Sequence, residues 1–273
     1  MKKFENILFC TDLDGTLIPD GKTISKENLD AIEYFKSEGG LFTFITGRMP
    51  DASRDVYERL NPNIPFGCIN GGGLYDHRKQ EFLWMASLPP EAMELVAHID
   101  REMPDVGIQL NTAKHIYFNK DNSAMIHFRN ITGLPNITCH FSEVKEPVAK
   151  VIFADDDEEK LLLTEKLLHE HPIADKVDFI RSEYTLYEIL PKGISKATAL
   201  HNLVKLLDLD IRRTITIGDY DNDITMIRDA GLGIAVENAS DNAKSAADHI
   251  TVDVTEHAIA KVVDDLDKGV LVL

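Results

Sequence analysis

The sequence predicts an α/β protein in which a smaller α+β domain is inserted into a doubly wound parallel sheet. Short apolar runs alternate with amphipathic helical patterns at both ends of the chain, as in strand–helix–strand units. The middle of the chain instead shows strands of alternating polar and apolar residues. A length of 273 residues leaves room for two domains of moderate size.

The outer segments contain apolar runs that suit buried parallel strands. These runs are residues 7–10, 41–45, 66–69, 214–217 and 233–236. A helix is predicted between the first two runs, because Ser25 is a good N-cap and Gly39 a good stop signal. Its apolar face would carry Leu29, Ile32 and Phe35. Further helices are predicted at 50–60, 195–207, 222–230 and 241–247.

The middle segment predicts an antiparallel arrangement. A hairpin is expected from 74–76 and 81–86, helices at about 89–103 and 158–169, and half-exposed strands at 107–112, 115–119, 149–155 and 185–190. Polar side chains on half-exposed strands are expected to be solvated. The predicted domains are a core formed by residues 1–83 and 191–273 and an insert formed by residues 84–190.

The amino-acid composition limits the classes of molecule that the protein can bind. A net charge of −17 and a pI near 4.9 disfavour nucleic acid and anionic membranes, whereas a small anionic substrate can still bind at a local positive site. The three cysteines, Cys10, Cys68 and Cys139, have no metal-binding spacing and favour a reducing cytoplasm. No apolar segment approaches the ~20 residues that span a bilayer. We therefore expect a cytoplasmic protein with a small-molecule partner and no obligate protein partner.

Polar residues follow the predicted strands where ligands bind to open parallel sheets, at the carboxyl ends. They are Asp12 and Asp14, then Thr46, Gly47 and Arg48, then Asn70, and finally Asp219, Asn222 and Asp223. Singly, these could be turns, solvated loops or helix caps. Together, four acids at one edge would repel each other unless a cation held them. Oxygen ligands without His or Cys favour Mg²⁺.

Three of these segments, together with a lysine segment, resemble the four motifs of the haloacid dehalogenase (HAD) superfamily, in their characteristic order. They are D-L-D-G-T at 12–16, I-T-G-R at 45–48, Lys196 within KGISKATAL, and G-D-Y-D-N-D at 218–223. The long insert is similar to the class II cap of the Cof-type subfamily, whose members are mostly phosphatases of small phosphorylated metabolites. The resemblance covers essentially the whole chain and implies a Rossmann-like catalytic core with a cap that determines substrate specificity.

The resemblance also implies roles for individual residues. Asp12 would be the nucleophile that forms an aspartyl-phosphate, and Asp14 the general acid and base, kept protonated by the like charge nearby. Mg²⁺ would be held by Asp12, Asp219 and the backbone carbonyl of Asp14. The transferring phosphate would be held by Thr46, Gly47, Lys196 and Asn222.

Other residues receive supporting roles in this scheme. Asp223 would orient Lys196 or a metal-bound water, and Arg48, Asn70 and Lys192 are candidate substrate contacts. Two positions depart from the Cof-type pattern: Glu237 occupies a place where a small residue is expected, and Ala197 one where Gly is frequent. The departure at Glu237 leaves the role of the 237–238 loop open.

The leading hypothesis is a Mg²⁺-dependent phosphatase of small phosphorylated metabolites, with sugar phosphates as the expected substrates. A phosphomutase of sugar phosphates is the alternative enzyme, since it uses similar chemistry. A phospho-receiver or phosphate-binding protein is less favoured, because receivers are much shorter and lack both the insert and the acid pair after the fourth strand.

Overall fold

The computed structural model describes residues 2–20 and 22–273, which form two compact units. The core unit comprises Met1–Pro50, Arg54–Leu83 and Ser195–Leu273, and the inserted unit comprises Asp51–Ser53 and Trp84–Ile194. The assignment of residues 84–190 as a specificity domain stays a prediction.

The strands and helices alternate along the chain. The strands are β1 Leu8–Thr11, β2 Leu41–Phe44, β3 Phe66–Cys68, β4 Gly73–Asp76, β5 Glu81–Met85, β6 Gly107–Thr112, β7 Ile116–Lys120, β8 Val148–Ala154, β9 Val177–Glu183, β10 Leu186–Pro191, β11 Thr214–Gly218, β12 Leu232–Ala235 and β13 His249–Ile250. The helices are α1 Lys26–Ser37, α2 Arg54–Leu60, α3 Ala92–Glu102, α4 Ser123–Thr132, α5 Glu158–His169, α6 Lys196–Leu206, α7 Ile224–Asp229, α8 Asp241–Ala246 and α9 Ala258–Asp267.

A parallel sheet forms the centre of the core unit, in the order β13-β12-β11-β1-β2. Phe9 of β1 pairs with Ile215 on one side and with Phe42 on the other. All three side chains are fully buried, as expected for a parallel strand that helices cover on both faces. The predicted α/β class is confirmed.

The apolar run at 66–69 was expected to be a further parallel strand, and this expectation is wrong. β3 pairs antiparallel with β4, and within the described residues its parallel pairing is limited to a single bridge between Gly67 and Ile45. Ile69, Asn70 and Gly71 all have positive φ angles, which turn the chain back on itself directly after β3.

Helix α1 begins as predicted, because the Ser25 hydroxyl accepts a hydrogen bond from the Asn28 backbone N–H. Ile32 and Phe35 are buried as expected, but Asn28 is buried in place of Leu29. The reason is a long-range contact in which the Asn28 side-chain oxygen accepts a hydrogen bond from the backbone N–H of Ala260 in α9.

The inserted unit contains an antiparallel sheet in the order β7-β6-β8-β10-β9. Helices α3 and α5 cover one face, where Leu95, Ile99 and Leu161 pack against strand residues such as Leu110 and Val151. The expectation of half-exposed strands is wrong for β6, β8 and β10, which are buried along their whole length. Their polar residues are therefore not solvated.

None of the helices within 2–20 and 22–273 has the length and apolar character needed to cross a bilayer. Cys10 and Cys68 are buried, and Cys139 is partly exposed.

Candidate active site

Asp12 lies directly after β1, the strand that pairs with β2 on one side and β11 on the other. Its backbone N–H donates to the carbonyl oxygen of Ile217 at 2.9 Å, which continues the pairing with β11 beyond the end of β1. The residue is only 6% exposed. A carboxylate is thus fixed at the carboxyl edge of the sheet and withdrawn from bulk water.

Lys196 neutralises part of this charge. Its Nζ lies 2.6 Å from Asp12 Oδ1 and 2.5 Å from Asp223 Oδ1, and its side chain is fully buried. Burial would lower the pKa of Lys196, but the charges of Asp12 and Asp223 and their hydrogen bonds outweigh burial and raise it. The lysine is therefore a permanent cation at the first residue of α6.

Gly71 allows the chain to pass close to that helix start. Its φ is +91°, and an added Cβ would overlap the carbonyl oxygen of Ser195, the N-cap residue of α6. The strained turn at 69–71 is thereby packed against the backbone that carries Lys196.

Asp223 uses both carboxylate oxygens for contacts within the protein. Oδ1 binds Lys196, and Oδ2 accepts hydrogen bonds from the backbone N–H groups of Asp219 and Tyr220, each at 3.0 Å. Gly218 makes this possible, because an added Cβ there would overlap the Asp223 side chain. These contacts agree with an orienting role for Asp223, which stays a prediction.

Asp219 contacts the loop that follows β1. The Thr16 hydroxyl donates to Asp219 Oδ1 at 2.7 Å, and Gly15 has a φ of +79° at a place where an added Cβ would overlap Asp219 Oδ2. Asn238 secures the same loop, because its Nδ2 donates to the Gly15 carbonyl at 2.8 Å. Sequence reasoning did not assign roles to Thr16 or Asn238.

The contacts of Asn238 show what one residue of the 237–238 loop does in the structure. Its side-chain oxygen also accepts from the Val254 backbone N–H at 2.9 Å, so one amide joins the loop after β1 to the C-terminal segment. The neighbouring Glu237 is exposed and lies 3.6 Å from the Lys244 ammonium.

Three carboxylates form what we call the core acid cluster: Asp12, Asp219 and Asp223 each offer one oxygen within 4.8 Å of the others. Burial, followed by the charge of Asp223, raises the pKa of Asp219 to about 7 and also raises the pKa of Asp12. Both carboxylates are thus destabilised as anions by the protein alone. A divalent cation would relieve this, and hard oxygen donors without His or Cys fit Mg²⁺.

Asp14 lies outside the core acid cluster, and its expected role as a protonated general acid stays a prediction. Its carboxylate is held by both arms of the Arg48 guanidinium, with Nε donating to Oδ2 at 2.8 Å and Nη2 donating to Oδ1. The physical reason is that the two motifs end neighbouring parallel strands, so that the arginine reaches the acid across the strand ends. Arg48 is thereby found beside Asp14.

The expected phosphate-binding residues Thr46, Gly47 and Asn222 follow strands β2 and β11 of the parallel sheet. Thr46 is buried, and its hydroxyl accepts from the Arg48 backbone N–H at 3.2 Å. Asn222 Nδ2 donates to Asn70 Oδ1 at 3.2 Å, and that same oxygen would lie 2.9 Å from a Cβ at Gly47. Gly47, Asn70 and Asn222 are therefore brought together, whereas their role toward phosphate stays a prediction.

Lys192 belongs to the inserted unit and makes its contacts there. Its ammonium lies 2.7 Å from Asp178, and the side chain is 60% exposed. The structure shows no second residue from the predicted site in contact with it among the described residues.

The chain was compared with known proteins. The family model of haloacid dehalogenase-like hydrolases matches residues 9–263. The 5-amino-6-(5-phospho-D-ribitylamino)uracil phosphatase YitU of Bacillus subtilis is 27% identical over 93% of this chain and 95% of its own length.

Solved structures give the same result. A haloacid dehalogenase-like hydrolase from Bacteroides thetaiotaomicron superposes with a TM-score of 0.85 at 25% identity, covering 96% of this chain and all of its own. A sugar phosphatase of HAD subclass IIB shares the fold, with a TM-score of 0.82 at 22% identity over 97% of this chain and 100% of its own.

Proposed function

Because the chain belongs to the haloacid dehalogenase-like hydrolases, we propose that it is a Mg²⁺-dependent phosphatase of small phosphorylated metabolites. The resemblance found in the motifs is confirmed, and with it the expectation of an enzyme. The observation that carries the proposal is the buried lysine between Asp12 and Asp223, with Asp219 completing the acid cluster. This is the arrangement a nucleophilic carboxylate needs in order to approach a phosphate dianion.

Asp12, Asp219 and the backbone carbonyl of Asp14 would hold the Mg²⁺ ion. When bound, Mg²⁺ neutralises negative charge on the carboxylates and on the phosphate that approaches them. Asp223 supports the site differently, since both of its oxygens are occupied by Lys196 and by backbone N–H groups.

The proposed reaction has two steps. An oxygen of Asp12 attacks phosphorus, the bond from phosphorus to the leaving-group oxygen breaks, and that oxygen takes a proton from Asp14. Water then attacks the phosphorus of the aspartyl-phosphate while Asp14 accepts a proton from it. The bond to Asp12 breaks, and inorganic phosphate leaves with the carboxylate restored.

Arg48 has to release Asp14 for this to occur, because its guanidinium occupies both oxygens of the carboxylate. A substrate phosphate is a stronger partner for a guanidinium, and it would compete with Asp14 for Arg48. Arg48 would thereby become a substrate contact, as the sequence suggested, and free Asp14 for proton transfer. Thr46, Gly47 and Asn222 would hold the remaining phosphate oxygens.

The inserted unit would select the leaving group. One relative is named as a phosphatase of a phosphorylated ribitylaminouracil, and one fold neighbour is named as a sugar phosphatase. Both names point to phosphate esters of polyhydroxylated carbon chains. We propose this class, sugar and polyol phosphates, for the present chain, and a cytoplasmic location for the enzyme.

Release of inorganic phosphate from a panel of sugar, polyol, nucleotide and cofactor phosphates tests the proposal, with Mg²⁺ and with a chelator. The expected result is release that requires Mg²⁺ and is fastest with sugar or polyol phosphates. Isomerised sugar phosphate with little free phosphate would favour the phosphomutase. A stable phosphoprotein without turnover would favour the phospho-receiver alternative.

A further inference from the structure

The segment that follows β12 is tied to the loop that carries Asp219. The Val236 N–H donates to the Gly218 carbonyl at 3.2 Å. Four residues later, the Ser240 N–H donates to the Asp219 carbonyl at 2.8 Å. Asn238 lies midway between these two bonds, so its backbone is held in a set position relative to Asp219.

The Asn238 side chain uses both ends of its amide. Nδ2 donates to the Gly15 carbonyl at 2.8 Å, and Oδ1 accepts from the Val254 backbone N–H at 2.9 Å. Because one partner is an acceptor and the other a donor, the amide has a single favourable orientation. The bond to Val254 therefore keeps the NH₂ group directed toward Gly15.

Gly15 is the point of greatest backbone freedom in the loop after β1. At a φ of +79° glycine is not restricted by a side chain, so sterics do not fix the peptide groups on either side of it. Hydrogen bonds fix them instead. The Gly15 N–H donates to the Ile18 carbonyl at 3.0 Å, and the Gly15 carbonyl accepts from Asn238. The first of these peptide groups contains the Asp14 carbonyl.

The hydrogen bonds around this loop close a ring. From the Asp219 carbonyl the ring runs through Ser240 to Asn238, and from there to the Gly15 carbonyl. The next residue, Thr16, completes the ring, because its hydroxyl donates to Asp219 Oδ1 at 2.7 Å. The bond from Asn238 to Gly15 is the one link in this ring that a side chain outside the four motifs provides.

We propose that Asn238 is a positioning residue for the Mg²⁺ site and acts through the peptide groups of Gly15. This inference rests on the proposed function, in which the Asp14 carbonyl and Asp219 bind the ion. Without the Asn238 bond, the Gly15 peptide groups can rotate, and the Asp14 carbonyl loses its fixed position relative to Asp219. Groups that orient metal ligands from outside typically contribute about 10–100-fold to metal affinity.

Mg²⁺ binding by Asn238→Ala tests the assignment, because alanine removes both amide bonds at an exposed position. We expect the Mg²⁺ dissociation constant, measured by calorimetry without substrate, to rise about 10-fold. In turnover, the Mg²⁺ concentration that gives half the maximal rate should rise by a similar factor, while kcat at saturating Mg²⁺ falls less. A purely structural role would lower the thermal midpoint equally in chelator and in Mg²⁺, and would leave the dissociation constant unchanged.

Hydrogen exchange gives a second measurement that does not require the ion. The backbone N–H groups of Gly15 and Leu17 donate within the loop, to the carbonyls of Ile18 and Leu13. In chelator these two amides should exchange faster in Asn238→Ala than in the wild type, because the loop is released at Gly15. The amides of β1 should keep their protection and serve as the internal reference.

Asn242→Ala is the matched control. Asn242 is a second exposed amide, in the first turn of α8, and its Nδ2 donates to the carboxylate of Asp221 at 3.3 Å. Asp221 lies outside the core acid cluster. This variant should keep the wild-type Mg²⁺ affinity and the wild-type exchange of Gly15.

The two proposals can fail separately. If the wild-type protein binds Mg²⁺ but releases no phosphate from any substrate, the phosphatase proposal fails, and the dissociation constants still decide the role of Asn238. If Asn238→Ala binds Mg²⁺ as tightly as the wild type, the positioning role is wrong, whatever its turnover. If the wild type binds no Mg²⁺, both proposals fail.

Discussion

The core acid cluster places three carboxylates around one lysine, whereas in the inserted unit the buried Lys150 pairs with the buried Glu188. In the first region negative charge remains uncompensated by the protein, and burial together with the charge of Asp223 raises the pKa values of Asp12 and Asp219. In the second region charge is balanced, with one ammonium for one carboxylate. The two regions therefore differ in charge balance: the first holds excess negative charge, and the second holds none.

The largest expected effect is a loss of turnover in a protein that keeps its fold. Asp12→Asn removes the nucleophile, and turnover should fall by at least about 10³-fold, as for other enzymes that lose their nucleophile. Phosphate release measures this, and circular dichroism checks the fold. Asp264→Asn, a substitution at an exposed acid of α9, is the control and should keep full activity. Unchanged turnover in Asp12→Asn would exclude Asp12 as the nucleophile.

Removing the lysine from each region compares their charge balance. Lys196→Met and Lys150→Met each remove a buried ammonium from the buried carboxylates that it contacts, and each should lower the free energy of unfolding by about 3–5 kcal/mol. Only the Lys196→Met protein should recover part of this loss on addition of Mg²⁺. Urea unfolding with and without Mg²⁺ measures the difference, with Lys205→Met at an exposed position of α6 as control.

Equal responses of Lys196→Met and Lys150→Met to Mg²⁺ would contradict the comparison. The ion would then act on the protein at large rather than at the core acid cluster.

The two regions should also differ in pH dependence. Asp219 has a pKa of about 7 in the folded protein against about 3.9 when unfolded, so the folded state binds more protons between these values. Without metal, its contribution to stability is present at acidic pH and is lost as pH rises through about 7. The slope should not exceed about 1.4 kcal/mol per pH unit.

Urea midpoints measured in chelator from pH 5.5 to pH 8 would show this trend, and Asp219→Asn should flatten it. Mg²⁺ competes with the proton for Asp219, so saturating Mg²⁺ should flatten it as well. A midpoint that rises with pH in chelator, to the same extent in Asp219→Asn, would show that other groups control the dependence.

The smallest expected difference is between alanine substitutions at two glycines. Gly15 and Gly133 both have positive φ angles, but an added Cβ would overlap Asp219 at Gly15 and meet nothing within 4 Å at Gly133. Gly133→Ala should therefore cost only the backbone strain of about 1–2 kcal/mol. Gly15→Ala should cost more and should weaken the Mg²⁺-induced rise in melting temperature, which Gly133→Ala leaves intact. Similar Mg²⁺ responses in the two variants would argue against contact between Gly15 and the metal site.

The core site was largely predictable because its residues stand where apolar runs end. Asp12, Asp219 and Lys196 follow from strand ends, helix starts and the order of the motifs. The partner of Asp14 was not predictable, because Arg48 is 34 residues away along the chain and local sequence does not indicate which distant cation a carboxylate will reach. The Asn238 bond to Gly15 was also missed, since nothing in the local sequence indicates which distant carbonyl an exposed amide will reach.

The insert was predicted less well for a different reason. Alternation on β6, β8 and β10 indicates two faces but does not indicate whether the polar face meets water, and here it is buried. Prediction also omitted α4, α9 and β9. In α9 a signal was present, because Ile259, Val262 and Val263 recur with helical spacing and are buried.

The long sequence separation between Asp12 and Lys196 has a consequence for biosynthesis. Asp12 and Lys196 are 184 residues apart, so the ribosome must deliver most of the chain before the lysine can reach its acid. The inserted unit is almost continuous in sequence and has its own apolar core. It can therefore fold before β11 has been synthesised and can pair with β1. During synthesis, Asp12 therefore cannot form its ion pair with Lys196 until the last third of the protein begins to emerge from the ribosome.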